Sequence, residues 1–152
     1  VCIVLKFSIR RIFEPDLAEV SELAPLANPH AVKEKYKKRI IRVLEENPDL
    51  SFVAVRDGRV IGYVQASTRG PRAVIEDLVV DKGYQGKGVG RRLLKKELQI
   101  LKRKNVKLVV AEVHFKCASA IPFYYKFGFR VSEVQKDYFG VGHDAIILKL
   151  EL

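Results

Sequence analysis

The 152-residue chain contains no methionine or tryptophan, two cysteines and three histidines. Cys2 and Cys117 are too few for a disulfide framework and have no metal-ligand spacing. His30, His114 and His143 are scattered along the sequence, which argues against a metal site. No apolar run approaches the roughly 20 residues a membrane helix needs. Residues 1–12 alternate apolar side chains with Lys6, Arg10 and Arg11 and show no signal-peptide cleavage pattern, so the expectation is a cytoplasmic protein without a membrane partner. Repeats, low-complexity tracts and linkers are absent too. The length suits one domain over residues 1–152 with a sizeable core.

Acidic side chains are also in short supply: 18 Asp and Glu against 28 Lys and Arg leave a net charge of +10. That balance favours anionic partners such as a phosphorylated ligand, an acidic substrate or RNA, and disfavours a small polyamine. Part of the excess merely solvates a helix face, as at Lys33, Lys35, Lys37 and Lys38.

What is present is organised around residues 74–94. Val74, Ile75, Leu78, Val79 and Val80 read as a buried strand. The next segment, Gln85-Gly86-Lys87-Gly88-Val89-Gly90, is too glycine-rich to continue it and allows a ligand close to the backbone. From Val89 the apolar residues Leu93, Leu94, Leu98 and Leu101 fall at helical spacing. A helix start offers free N–H groups and a positive dipole end, and Lys87, Arg91 and Arg92 add charge, so a pyrophosphate is the expected guest. The spacing fits neither a mononucleotide P-loop nor the Gly-x-Gly-x-x-Gly of a dinucleotide fold.

Around this centre, residues 2–9 read as a strand with Ile3, Leu5, Phe7 and Ile9 on one face. Glu14-Pro15-Asp16 begins a helix that ends near Pro25 or Pro29, and residues 31–46 form a second. Residues 51–56 and 59–67 form a hairpin over Asp57-Gly58. The helix from Val89 reaches about Lys104, and a strand follows over 106–114. Residues 118–127 make a short helix closed by Gly128, and 129–134 and 145–152 a last hairpin around the loop 138–142. The order is βααβββαβαββ, a mixed α/β sandwich (α+β) with a largely antiparallel sheet.

Residues 85–90 match Gln/Arg-x-x-Gly-x-Gly/Ala, and the chain thereby resembles the general N-acetyltransferase (GNAT) superfamily at its pyrophosphate loop. Leu78-Val79-Val80-Asp81 looks like that family's acyl-CoA strand. Residues 120–129 resemble its late motif, Ala-x-x-Leu/Phe-Tyr-x-x-x-Gly-Phe. The resemblance implies the same element order and an N-acetyltransferase that moves an acetyl group from acetyl-CoA to a primary amine, of a protein or a small molecule. It implies that Leu78, Val79 and Val80 pair with the pantetheine arm and that Gln85, Gly86, Lys87, Gly88, Val89, Gly90 and Arg91 hold the pyrophosphate. It places the acceptor wall in the region of the first two helices. A catalytically idle acyl-CoA-binding or RNA-associated module on the same fold is the alternative.

Acetyl transfer to an amine needs a base, an oxyanion donor and an acid for the departing thiolate. Tyr124, at the tyrosine of the late motif, is the expected acid; Tyr125 lies about 100° round the helix. The N–H of Val79 or Val80 is the candidate oxyanion donor. Glu112, in the apolar run Leu108-Val109-Val110-Ala111-Glu112-Val113, is the first candidate base. Its setting resembles the strand glutamate of ribosomal-protein alanine acetyltransferases. Glu76 is the rival, expected to share a face with Leu78 and Val80; Glu76-Asp77-Leu78-Val79-Val80 resembles Ile-Glu-Asp-Val-Val of amino-sugar-phosphate acetyltransferases. Cys117 stands where N-terminal acetyltransferases carry a pantetheine-binding Asn, and a thiol replaces an amide poorly. An acyl-cysteine at Cys117 is the minor alternative to direct transfer.

Overall fold

The computed structural model describes residues 4–30 and 32–152. Strand β1 (Ser8–Arg11) is followed by helices α1 (Leu17–Leu23) and α2 (Lys33–Glu46) and by strands β2 (Ser51–Arg56), β3 (Arg59–Arg69) and β4 (Arg72–Val80). Helix α3 (Val89–Arg103), strand β5 (Leu108–His114), helix α4 (Ile121–Lys126) and strands β6 (Arg130–Gln135) and β7 (Ala145–Glu151) complete the order, which is the one the sequence predicts. One seven-stranded sheet runs β1-β2-β3-β4-β5-β7-β6, with β7 slotted between β5 and β6. Every pairing is antiparallel except β4 with β5. Among the described residues no helix is long and apolar enough to cross a membrane.

Several element boundaries depart from expectation, among them α1, which begins at Leu17 after a 3₁₀ turn over Glu14–Asp16, and β5, which begins at Leu108. The strand expected over 2–9 begins only at Ser8, because its partner β2 ends at Arg56 and Ser8 already faces Val55. Leu5 and Phe7 still pack against the core, so their alternation signals burial without pairing; Cys2 and Ile3 lie outside the described residues. The second helix begins at Lys33, and Ala31 is likewise not described. Residues 115–120 wind as a 3₁₀ turn with Cys117 off helical angles, and the α-helix waits for Ile121 and Pro122. Proline fits that first turn because its missing N–H has no partner there anyway.

Helix α3 packs on one face of the sheet and α1 and α2 on the other. Leu93, Leu94 and Leu101 are fully buried against Ile61, Val64 and Val109. Each such side chain contributes roughly 1.5–3 kcal/mol by leaving water. On the opposite face Val20, Tyr36 and Ile40 cover Val53, Tyr63 and Val79. Lys33, Lys35, Lys37 and Lys38 are exposed, as the solvated-face reading expects. Glu97 breaks the pattern of α3. It is fully buried among the leucines, and neither carboxylate oxygen has a partner among the described residues. Burial, with Asp49 nearby, pushes its carboxyl well above the usual range, so it sits neutral.

Two irregularities shape the centre of the sheet. The β3–β4 register shifts between Gln65 and Ala66: Gln65 faces Asp77 and Ala66 faces Ile75, which leaves Glu76 as an extra residue on β4. Such a bulge bends its strand and reverses the inside–outside alternation beyond it. The β4–β5 ladder covers only Arg72–Ile75 against Leu108–Ala111. Past the bulge the two parallel strands are unpaired, and the sheet opens between them.

Candidate active site

The opening is a cleft of about 1200 Å³ lined by the free edge of β4, the far end of β5, the glycine loop, the first turns of α3, and α4. Its residues come from both motif regions: Leu78, Val79, Val80, Gln85, Gly86, Gly88, Gly90, Arg91, Glu112, Cys117 and Tyr124 all line it. Glu76 does too, so the fold gathers every catalytic residue expected from sequence into one cavity.

The edge of β4 can pair with an extended ligand, because its hydrogen-bonding groups past Ile75 have no strand on that side. Asp81 donates its N–H to Ile61 of β3. Val79, two residues earlier, therefore also points at β3, and the N–H of Val80 points into the cleft. Of the two expected oxyanion donors only Val80 is oriented for the role. Val80's carbonyl accepts a hydrogen bond from the Gln85 side chain at 3.0 Å, so Gln85 braces the loop by its amide.

Gly86 and Gly88 have φ of +73° and +87°, and a Cβ built on either would meet nothing within 4 Å. The left-handed backbone requires glycine at both, and the space above is open. Gly88 is the N-cap of α3 and its carbonyl takes the Arg92 N–H, leaving the N–H groups of Val89, Gly90 and Arg91 at the free helix start. Val89 itself is buried, so only its backbone can serve a ligand. Lys87 is exposed and lies 5.9 Å from the Tyr84 ring centre. These residues fit a pyrophosphate.

Tyr124 is buried, at 7% exposure, with its ring edge-on to Phe123 and Phe129. Burial first, then the neighbouring Asp77 and Cys117, push its phenol well up, so it is protonated at neutral pH. Tyr125, by contrast, is exposed and lies under the Arg130 guanidinium. Cys117 donates weakly toward the carbonyls of Leu26 and Ala27 at 3.6 and 3.7 Å. Burial raises its thiol, which removes the thiolate that an acyl-cysteine route would need.

Glu76 does not share a face with Leu78 and Val80. The bulge turns it to the α2 side, where Ser67 donates to it at 2.6 Å and Arg39 stands 3.7 Å away. Leu78 and Val80 instead pack toward α3. Glu112 has Tyr138 beside it; burial and this carboxylate raise the Tyr138 phenol.

Sequence reasoning missed Asp77. Its carboxylate is buried and accepts from Tyr36 at 2.7 Å, Tyr63 at 3.0 Å and Arg39 at 2.9 Å. Burial pushes it up while the three donors pull it back. A carboxylate at an apparently inward strand position was a signal that the sequence contained. Its partners, 38 and 41 residues away, were not readable. The histidines were also misjudged as scattered. His30 stacks on His143 with ring centres 3.8 Å apart, and His114 Nε2 lies 2.8 Å from His143 Nδ1. Among the described residues no group of three or more His, Cys, Asp or Glu is arranged to hold a metal ion.

A strand edge for an extended arm, a helix start for phosphates, and a carboxylate with a phenol at the split between them define an enzyme that brings two substrates to one cleft. The chain belongs to the acetyltransferase (GNAT) family, whose pattern it matches over residues 10–129. It is an acetyl-CoA-dependent N-acetyltransferase. An uncharacterised N-acetyltransferase of Methanocaldococcus jannaschii is 32% identical over 142 residues, covering 92% of this chain and 88% of that one. N-alpha-acetyltransferase 30 of Schizosaccharomyces pombe is 32% identical over 104 residues, 64% of this chain and 69% of its own. The solved structure of Ard1 from Thermoplasma volcanium has the same fold, with a TM-score of 0.89 over 97% of this chain and 99% of that one at 23% identity.

Proposed function

We propose that this enzyme acetylates the free α-amino group of a polypeptide by direct transfer. The observation that carries this reading is the charge of the acceptor end. Glu76, Asp77 and Glu112 line it, and the Arg39 guanidinium among them is already tied to Asp77. These carboxylates attract an ammonium group, and Arg39, paired with Asp77 at 2.9 Å, is not free to take a sugar phosphate, although Lys116 also lines the cleft. The likeness to N-alpha-acetyltransferase 30 supports the same acceptor class.

Acetyl-CoA supplies a thioester carbonyl that an amine can attack. Glu112 takes the proton of the ammonium, directly or through water, and frees the nitrogen lone pair. The Val80 N–H faces the acyl oxygen as negative charge grows on it. As the carbon–sulfur bond breaks, the attacking nitrogen loses its second proton to solvent, and Tyr124 gives its proton to the sulfur and regains one from solvent. Gly88, Val89, Gly90 and Arg91 hold the phosphates by backbone N–H groups, and Lys87 adds charge. Glu76, held by Ser67 and Arg39, shapes the acceptor side and leaves the base role to Glu112.

Thiol release measured with a panel of acceptors tests the reading. A short peptide with a free N-terminus should turn over, and the same peptide N-blocked but carrying lysine should not. Glucosamine 6-phosphate should give no release. Turnover of the blocked peptide or of the sugar at the rate of the free peptide would overturn it. Acetyl-CoA binding without turnover on any amine would point to an idle binding module instead.

A further inference from the structure

Two loops wall the acceptor end. The turn after α1 brings Leu26, Ala27 and Asn28, and the loop between β6 and β7 brings Phe139. Neither belongs to the motifs, yet three imidazoles connect them. His30 closes the first loop, His143 sits in the second, and His114 ends β5 between them. The ring of His30 lies flat on that of His143, 18° from parallel. His114 is 1% exposed, with Phe115 and Phe139 at 4.8 and 5.4 Å.

The hydrogen bonds assign the protons. His114 Nδ1 accepts the Lys116 backbone N–H at 3.1 Å, so this nitrogen carries no hydrogen. Its proton is on Nε2 and is donated to His143 Nδ1. The proton of neutral His143 is then on its own Nε2. A second independent contact presses the loops together. Gly140 has φ +123°, and a Cβ there would lie 2.7 Å from His30 Nε2. The backbone of the second loop therefore rests directly on the ring contributed by the first.

We propose that His30, His114 and His143 form a clasp of imidazoles that fixes these two loops against each other, and so act as positioning residues for the acceptor. The role of the clasp rests on the acceptor site described above. Adding a proton to His143 Nδ1 opposes the Nε2–H of His114. Adding one to His114 Nδ1 opposes the Lys116 N–H. Charging both stacked rings, His30 and His143, sets two cations face to face. The surrounding charges act in both directions. Lys116 disfavours a further positive charge on His114 and His143, while Asp137 and Asp144 favour one on His143. Both aspartates are already engaged inside the loop, accepting from Gly142 N–H and Asp137 N–H. Burial holds both His114 and His143 below the ordinary histidine value of 6.5. The folded rings therefore bind fewer protons than unfolded ones. The clasp is complete above that value and is lost as pH falls below it.

Two variants and one spectroscopic measurement test this. His143→Phe keeps a ring for stacking and removes the hydrogen bond and the titration. Gly140→Ala displaces His30 without removing any titratable group. At pH 7.5 each should raise the peptide KM about tenfold, a loss of one tenfold step in affinity, and change kcat less than about twofold. On acidification to the pH at which ring-nitrogen NMR shows His114 and His143 charged, the wild-type clasp opens, and the ratio of variant to wild-type KM should shrink toward one. A ratio constant across this range, or an unchanged KM at pH 7.5, overturns the proposal. Ring-nitrogen NMR of the wild-type enzyme reads the clasp without any acceptor. It should show His114 as the Nε2–H tautomer, and amide hydrogen exchange should show a joint loss of protection in residues 24–30 and 137–144 on acidification. His114 found as the Nδ1–H tautomer, or protection lost in one loop alone, overturns it. Should no peptide be acetylated, the acceptor reading fails, and the spectra still decide the clasp.

Discussion

The proposed donor half and the proposed acceptor half of the cleft are built by different means. On the donor side the backbone does the work. Gly86, Gly88 and the N–H groups at the start of α3 form one local turn, and Val80 offers a main-chain group. On the acceptor side long-range side-chain contacts do it. Asp77 is held by Tyr36, Arg39 and Tyr63, and His30, His114 and His143 meet from three elements. A site made of backbone keeps its sequence signature because few residues other than glycine fit it. A site made of packed side chains can be rebuilt by many combinations, which suits the half that distinguishes one amine from another.

Substitutions on each side should expose this division. The largest effect is expected where the halves meet. Tyr124→Phe keeps the ring and the packing and removes the proton donor, so kcat should fall by roughly 10²- to 10⁴-fold with acetyl-CoA affinity unchanged by calorimetry. Wild-type turnover in this variant would make the tyrosine structural and return the proton to solvent. Next is Arg39→Ala, an acceptor-side change that strands a buried carboxylate at Asp77. It should cost about 3–5 kcal/mol of stability, read by urea unfolding, and Asp77→Asn combined with it should recover part of the loss. Gly88→Val forces a branched side chain to φ +87° over the pyrophosphate site. Acetyl-CoA affinity should drop about 100-fold or more, near 2.7 kcal/mol, while the folded core survives by circular dichroism. The smallest effect belongs to Lys87→Ala. This exposed charge is screened by salt, so affinity should fall by about tenfold or less, and the loss should vanish in 0.5 M salt, a condition in which the Debye length is only about 4 Å.

The same division explains what was legible in the sequence. The strand–glycine–helix unit from Val74 to Arg103 was readable because its signals are local: a period of two, three glycines, then a period of three to four. Tyr124 and Glu112 were singled out through motifs in the same chain neighbourhood, and both line the cleft. The Glu76 face was misread because strict alternation assumes an unbroken ladder, and the bulge opposite Gln65 and Ala66 depends on another strand. Of Val79 and Val80, the structure's β3 pairing singles out Val80, a choice no alternation pattern could make. The stack of His30 on His143 joins residues 113 positions apart, and no spacing rule connects them.

The unpartnered carboxyl of Glu97 has a thermodynamic signature of its own. In the unfolded chain this group is an ordinary glutamate, ionised above about pH 4.3; in the native core it holds its proton. Its folded value is raised, so native stability is greatest below the unfolded value and declines as pH rises. Between the unfolded value and the raised folded one, folding therefore takes a proton from the medium and unfolding gives it back. The heat of unfolding measured in a buffer with a large ionisation enthalpy should then differ from that measured in phosphate. That difference should disappear in Glu97→Gln, which makes a single side chain in α3 the molecule's proton ledger.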